Sequence, residues 1–270
     1  MNLSLLIIWP LVTAVVILFC NGLKQVRSVA FIGSVIQLFL ACFLLYQYIH
    51  ERTSGNVSPM LFESDMTWFA ALGIHYHIGV DGISIAMILL TASVVVAGIL
   101  VSWTMEKLSK EFFFLLILLS MGAYGFFISL DLFTLFFFLE VAVIPKFLLI
   151  GIWGSGKKEY SAMKLALMLM AGSALVFVGL IGLYNQTHSF DILQISKMSI
   201  PIETQLFFFP FAFIGFGIFA ALFPFHTWVP DGHASAPTAA SMFLAGISMK
   251  LGGYGCLRVA TFLMPDAAHA

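Results

Sequence analysis

Eight long apolar runs constrain the fold of this chain more than any other feature. They cover residues 3–20, 29–49, 83–103, 112–129, 132–153, 165–184, 206–225 and 239–263. Crossing the hydrocarbon layer of a membrane takes about 20 such residues. Lipid offers no hydrogen bonds to the backbone, so an unbroken apolar run crosses it as a helix. Only 9% of the residues are charged, against about 25% in a typical soluble domain. The sequence therefore predicts an all-α integral membrane protein, with about eight transmembrane helices in one domain over residues 1–270.

Lysine and arginine give the orientation, because they collect on the cytoplasmic side of a membrane. With the N-terminus outside, most of the positive charge falls on the cytoplasmic side, at Lys24, Arg27, Lys107, Lys110, Lys157, Lys158 and Lys164. The loops on the other side hold only Arg52 and Lys197. We therefore predict an N-out topology. The connection over residues 50–80 is expected to be a turn-rich loop rather than a domain.

Acidic residues occur both at the starts of the runs and within one of them. Asp81 and Asp131 come just before the third and fifth runs, where a carboxylate can accept hydrogen bonds from the first N–H groups of a helix. Glu140 instead lies near the middle of the fifth run, where a charge costs about 2.5–3.5 kcal/mol or more. We therefore interpret Asp81 and Asp131 as helix caps and Glu140 as a functional residue.

Lys146 is the second ionisable residue inside the fifth run. Six residues separate it from Glu140, about 9 Å along a helix axis, and it points away from the face of Glu140. Its long side chain is expected to extend toward the cytoplasmic surface. Pro145, just before it, is expected to kink the helix.

The end of the seventh run and the eighth run contain three more candidates. Residues 221–237 include three prolines and a glycine, which predicts a broken helix of the kind found beside water-filled cavities. His226 and His233 lie in this break, and histidine exchanges protons near neutral pH. Lys250 falls near the middle of the eighth run. Two histidines with no cysteine or acid cluster beside them argue against a metal site.

Ionisable groups at membrane depth, with no nucleophile–base set and no cofactor motif, suit the relay of protons. The relay predicted from the residues consists of Glu140, His226, His233 and Lys250. Nothing in the sequence indicates binding of nucleic acid. The expected surroundings are the lipid bilayer and protons.

Three stretches resemble the antiporter-like membrane subunits of respiratory NADH–quinone oxidoreductase (complex I), of the chain M type. They are Phe-Leu-Glu-Val-Ala-Val-Ile-Pro at 138–145, Phe-Pro-Phe-His-Thr-Trp-Val-Pro-Asp-Gly-His-Ala-Ser-Ala-Pro-Thr-Ala at 223–239 and Leu-Ala-Gly-Ile-Ser-Met-Lys-Leu-Gly-Gly-Tyr-Gly-Cys-Leu-Arg at 244–258. The resemblance implies the first inverted repeat of the antiporter-like fold and the start of the second. It also implies a bacterial inner membrane, other membrane-arm subunits as partners and no redox cofactor in this chain.

The resemblance also assigns roles to residues of this sequence. Glu140 matches the glutamate of the fifth helix that tunes the charge of the proton channel, and Lys250 matches the central lysine of the eighth. His226 and His233 match the histidines of the broken segment. Protons would be driven through these groups by quinone reduction elsewhere in the complex.

Two departures from the family pattern stand out. The family usually has a lysine on the seventh helix where this chain has Phe219, so the usual partner of the glutamate is missing, and Lys146 is a candidate substitute. The family also usually has about fourteen helices, whereas this sequence ends just after the eighth. Two further readings stay open: a subunit of a multi-subunit cation/proton antiporter, and an inactive structural scaffold.

Overall fold

The structure, a computed structural model, describes residues 2–270 apart from the side chain of Ala71, and most of them are helical. The helices are α1 (Leu5–Phe19), α2 (Leu23–Thr53), α3 (Gly82–Val101), α4 (Ser109–Ile128), α5 (Leu132–Trp153), α6 (Lys158–Thr187), α7 (Ile192–Ile195), α8 (Ile202–Phe219), α9 (Trp228–Ser235), α10 (Thr238–Phe243), α11 (Met249–Gly255) and α12 (Pro265–His269). The strands are β1 (Leu61–Phe69) and β2 (Ile74–Val80). Two π-helical segments, Leu244–Ser248 and Cys256–Thr261, lie on either side of α11.

Among the described residues, six helices are long and apolar enough to cross a membrane: α2, α3, α4, α5, α6 and α8. The first and the last of the eight apolar runs do not form regular α-helices of full transmembrane length. The first run forms α1, which has 15 residues and is about 22 Å long at 1.5 Å per residue. The last run is helical but alternates between α-helix and wider π turns.

The all-α prediction is wrong for the stretch 50–80, which contains an antiparallel hairpin of β1 and β2. Gly73 adopts a left-handed conformation with φ of 62° at the turn, which glycine reaches without a steric penalty. The register pairs Asp65 with His77 and Met66 with Tyr76. Charged residues on an exposed first strand hide the alternation of apolar residues that would identify it in the sequence.

Helix α4 forms the centre of the bundle and packs against α1, α2, α3 and α5. Its contact with α5 needs glycine. A Cβ atom at Gly125 would lie 2.3 Å from the ring of Phe138, and one at Gly122 would lie 3.0 Å from the carbonyl oxygen of the same residue. These two glycines therefore set how closely α4 and α5 approach.

The capping roles predicted for Asp81 and Asp131 are confirmed. Asp81 accepts a hydrogen bond from the backbone N–H of Ser84 at 2.9 Å, and Asp131 accepts one from that of Thr134 at 2.9 Å. Each carboxylate thus satisfies an N–H group that the helix itself leaves without a partner. The fifth run also begins and ends as predicted, because α5 covers Leu132–Trp153.

Candidate functional site

Glu140 lies on the side of α5 that faces α6. Its side chain is half-buried and borders an open groove between the two helices, whose apolar walls include Phe136, Met170 and Phe177. The carboxylate accepts a hydrogen bond from the hydroxyl of Ser173 on α6. Within residues 2–270, this hydroxyl is the hydrogen-bond donor that the carboxylate has.

Lys146 is the buried cation of the same helix. Its side chain is 1% exposed, so the expectation that it extends to the cytoplasmic surface is wrong. Within residues 2–270 its Nζ atom has no hydrogen-bond partner. Glu140 is the carboxylate that interacts electrostatically with it. Burying an ammonium group without hydrogen-bond partners is costly.

Phe219, at the end of α8, is the neighbour that Lys146 does have. The Nζ atom lies 6.0 Å from the centroid of the Phe219 ring, at the outer limit of a cation–π interaction. Phe219 is itself 1% exposed. The position where the family resemblance led us to expect a lysine is therefore an aromatic ring, and an amine reaches that ring from α5.

The chain leaves regular helix after Phe219. A short non-helical stretch and one turn of 3-10 helix over Phe225–Thr227 precede α9. His226 lies in this turn, exposed, with its ring 5.7 Å from that of Phe223. His233 lies on α9, half-buried, and its Nδ1 atom is 2.8 Å from the hydroxyl of Ser241.

Helix α9 is attached to α6 by two polar contacts. Lys164 donates to Asp231 at 2.6 Å, and the hydroxyls of Ser161 and Ser235 are 2.8 Å apart. These contacts fix the segment that contains His233.

Lys250 lies on α11 between the two π-helical segments, and its amine donates to the carbonyl of Ala245. The side chain is exposed in the described chain. Within residues 2–270, no hydrogen bond joins any two of the four predicted relay groups. The structure instead brings Lys146 together with Phe219, and Glu140 with Ser173.

A second group of ionisable residues lies where the hairpin meets the starts of α5 and α7, outside the six candidate spans. We call His75, His77, Asp131 and Asp191 the hairpin network. Asp131 accepts from the backbone N–H of His75 at 3.2 Å, besides its capping bond. The Nδ1 atom of His77 lies 2.6 Å from the carboxylate of Asp191, which also accepts from the backbone N–H of Gln194 at 2.8 Å.

These contacts change the acidities of the network. The hydrogen bond to Asp191 raises the pKa of His77 above its ordinary value, outweighing the burial that opposes it. Burial alone would raise the pKa of Asp191, but the bonds from His77 and from Gln194 lower it. For Asp131, burial dominates and raises the pKa despite its backbone donors.

A partly buried ion pair joins the second π-helical segment to the start of α3. Arg258 donates to Asp81, and its guanidinium lies 5.4 Å from the ring centroid of Tyr254. Burial opposes the charge of Asp81, yet the bonds from Ser84 and Arg258 lower its pKa. The sequence indicated the cap at Asp81 but not this partner 177 residues away.

The contact between Ser173 and Glu140 was not predicted from the sequence, although the sequence contains a signal for it. Helices α5 and α6 are antiparallel neighbours joined by a short turn. Residues about equally far from that turn lie at about the same depth, and Glu140 and Ser173 are such a pair. A hydroxyl at this depth in an otherwise apolar run was therefore the candidate neighbour for the carboxylate.

Comparison with known proteins places this arrangement in a family. Residues 129–270 match the family described as NADH:quinone oxidoreductase/Mrp antiporter, TM. NADH-quinone oxidoreductase subunit M of Rickettsia prowazekii is 35% identical over 275 residues, which cover 99% of this chain and 55% of that protein. NAD(P)H-quinone oxidoreductase chain 4-2 of Synechocystis is 36% identical over 248 residues, covering 90% of this chain and 43% of that protein.

Solved structures share the fold. A chain of respiratory complex I from Thermus thermophilus superposes with a TM-score of 0.86 at 22% identity, covering 98% of this chain and 54% of its own. A chain of the archaeal membrane-bound sulfane sulfur reductase gives 0.85 at 21% identity, covering 99% and 55%. This chain thus spans about half the length of the relatives it matches.

Proposed function

Because the chain belongs to the transmembrane family shared by NADH:quinone oxidoreductases and Mrp antiporters, we propose that it is a proton-translocating subunit of the membrane arm of an NADH–quinone oxidoreductase. Relatives named as subunit M or chain 4 of such enzymes support this proposal. The oxidation of NADH and the reduction of quinone belong to other subunits. This chain contributes to the enzyme as a translocase, with no redox cofactor of its own.

The proposal includes an arrangement in the membrane. The protein is a multi-pass protein of the bacterial inner membrane with its N-terminus outside. Eight crossings, the seventh broken after Phe219, make up the first inverted repeat and the start of the second. The other membrane-arm subunits and the lipid bilayer surround it.

The observation that carries the proposal is the buried amine of Lys146. A lysine that is 1% exposed and has no hydrogen-bond partner within residues 2–270 contributes little to stability, because its desolvation is not offset. Ionisable groups of this kind within a membrane mark ion and proton pathways. Its helix also holds Glu140, about two turns away and half-buried.

Glu140 and Lys146 work as one charge-coupled pair. While Glu140 is ionised, its negative charge favours the ammonium form of Lys146. When Glu140 takes up a proton, that attraction is lost and the buried ammonium releases its proton. His233 and His226, on the broken segment, and Lys250 beyond it then pass the proton on.

The test is proton translocation driven by NADH oxidation in inverted membrane vesicles that contain the assembled complex. We expect Glu140→Gln and Lys146→Met each to reduce translocation by about tenfold or more. Electron transfer to a soluble acceptor and the amount of assembled complex should stay at wild-type levels. Lys110→Met is the matched control, because that lysine is half-buried and, within residues 2–270, its amine donates to the carbonyl of Leu18 and to no acid.

The alternatives give different outcomes. If both variants translocate protons as the wild type does, the chain is a scaffold. If the variants abolish sodium-dependent growth while NADH-driven translocation is intact, the chain belongs to a cation/proton antiporter.

A further inference from the structure

We infer that Ser173 is a positioning residue that lets Glu140 alternate between its charged and protonated forms. The inference rests on the proposed function and adds to it the residue that stabilises both forms of the carboxyl group. Ser173 lies on α6 and is 6% exposed, so its hydroxyl has few competing partners.

The hydroxyl of Ser173 lies between two acceptors. One is the Oε1 atom of Glu140 on the neighbouring helix. The other is the backbone carbonyl of Leu169, one turn earlier on α6, at 3.0 Å. A serine hydroxyl has one hydrogen to donate and two lone pairs that accept, so it donates to only one of these oxygens at a time.

Each direction of the hydroxyl fits one form of Glu140. An ionised carboxylate can only accept, and the serine O–H then donates to Oε1. A protonated carboxyl group has an O–H to donate, which the Ser173 oxygen accepts while its own hydrogen turns to Leu169. The proton that Glu140 gains comes from the relay and returns to it. The serine keeps its hydrogen and only rotates about its Cβ–Oγ bond.

The side chains of Phe136, Met170 and Phe177, which also line the groove, cannot form such a hydrogen bond with Glu140, because they line it with carbon and sulfur atoms. Within residues 2–270, the hydroxyl of Ser173 is therefore the one hydrogen-bond partner of the Glu140 carboxyl group, and it does not oppose a change of charge. Backbone donors, in contrast, would favour only the ionised form.

Ser161 provides a matched comparison on the same helix. It is 2% exposed, and its hydroxyl also faces the carbonyl four residues earlier, at 3.1 Å. Its second partner is the uncharged hydroxyl of Ser235. Removal of this hydroxyl changes the packing of α6 in a comparable way without touching an acid.

The experiment measures NADH-driven proton translocation in inverted vesicles with the assembled complex carrying Ser173→Ala, Ser173→Thr or Ser161→Ala. We expect Ser173→Ala to lower translocation by about tenfold, the typical effect of losing a hydrogen bond to a charged group. Ser173→Thr should stay within about threefold of the wild type because it keeps the hydroxyl. Ser161→Ala should lower translocation by less than about threefold, because Lys164 still joins α9, and with it His233, to α6 through Asp231.

Infrared difference spectroscopy of the same complex separates positioning from a merely structural role. The C=O band of protonated Glu140, identified by its loss in Glu140→Gln, should move in Ser173→Ala and stay in place in Ser161→Ala. An unmoved band, or equal translocation by Ser173→Ala and Ser161→Ala, overturns the inference. If Glu140→Gln itself translocates protons normally, the proposed function fails. If it does not, while Ser173→Ala behaves as wild type, the role of Ser173 alone is disproved.

Discussion

The hairpin network and the Glu140–Lys146 pair are both clusters of ionisable groups in low-polarity surroundings, yet they are built in opposite ways. In the hairpin network each buried carboxylate has at least two donors, which are backbone N–H groups or a histidine ring. In the pair on α5, Glu140 has the hydroxyl of Ser173 and Lys146 has an aromatic ring. The first cluster is saturated with partners and the second is not.

The difference separates carboxylates that stabilise a junction from the charged groups that we propose to act in proton relay. Backbone donors are fixed and favour one protonation state, so a carboxylate surrounded by them stabilises a junction. The junction here also includes three backbone bonds of 2.8 Å that connect β2, the start of α5 and the start of α7. Groups with few or rotatable partners lose little when their charge changes. This property is what a proton relay needs.

The largest expected effect concerns Lys146 and Phe219. The amine of Lys146, on α5, lies beside the ring of Phe219, on α8. If the function needs an amine at this place, whichever helix carries it, a lysine at position 219 should substitute for Lys146. We expect Lys146→Met/Phe219→Lys to recover proton translocation to within about threefold of the wild type, while Lys146→Met alone loses most of it. Vesicle assays on the assembled complex measure both.

The control for this exchange is Lys146→Met/Ile218→Lys, with the new amine on the adjacent residue and hence another face of α8. Equal recovery in the control would show that any nearby positive charge suffices. If neither double variant recovers translocation, the amine has to come from position 146. That result would contradict the idea that a lysine at position 219 can substitute for Lys146.

A medium effect is expected for Asp131, and on stability instead of translocation. Asp131→Ala leaves the N–H groups of Thr134 and His75 without their acceptor. This should cost on the order of 2 kcal/mol, measured as a lower denaturation midpoint of the detergent-solubilised complex. Proton translocation per assembled complex should stay close to that of the wild type. Asp131→Asn keeps one acceptor oxygen and should lose less stability. If the Asp131→Ala complex is stable but no longer translocates protons, the hairpin network is not only a stabilising cluster, and the proposed difference between the two clusters is wrong.

The smallest effect is a pH dependence of the tie between His77 and Asp191. The pKa of His77 is raised, so its contribution is full below its ordinary value of 6.5 and is lost as the pH rises through the raised pKa. The pKa of Asp191 is lowered from 3.8, so its contribution is present above that value and is lost only as the pH falls through the lower one. The tie is therefore strongest in mildly acidic solution and weakens on the alkaline side.

Hydrogen exchange at the amides of Leu130 and Ile192, corrected for the intrinsic rate, measures this tie between about pH 6 and pH 9. Glu63, 3.8 Å from the other ring nitrogen, and Asp65 also favour the charged histidine. In His77→Gln the protection should not change with pH. An unchanged slope in that variant would assign the effect to another group.

The predictions from sequence succeeded where the cause is local. Asp131 before an apolar run is enough to start a helix, and the bounds of α5 were obtained from the run alone. The predictions failed where the position or the partner of a side chain depends on segments that are distant in the sequence. The Nζ atom of Lys146 lies 6.0 Å from the ring of Phe219, more than 70 residues later, and His77 has its partner 114 residues away. The contact between Ser173 and Glu140 is an intermediate case. The two residues are far apart in sequence, but the short turn between α5 and α6 allows their relative depth to be calculated from the sequence.

Helix α4 has a consequence for how the protein is made. About 83% of its most apolar window is buried inside the protein, so most of the acyl chains that surround it on insertion are later replaced by neighbouring helices. That exchange yields little hydrophobic free energy, since lipid tails are as apolar as leucine. Close fit has to supply the selectivity, and on the α5 side it comes from Gly122 and Gly125. The leucines and phenylalanines of α4 make its insertion into the bilayer favourable, whereas its glycines allow the close packing that selects α5 as its neighbour.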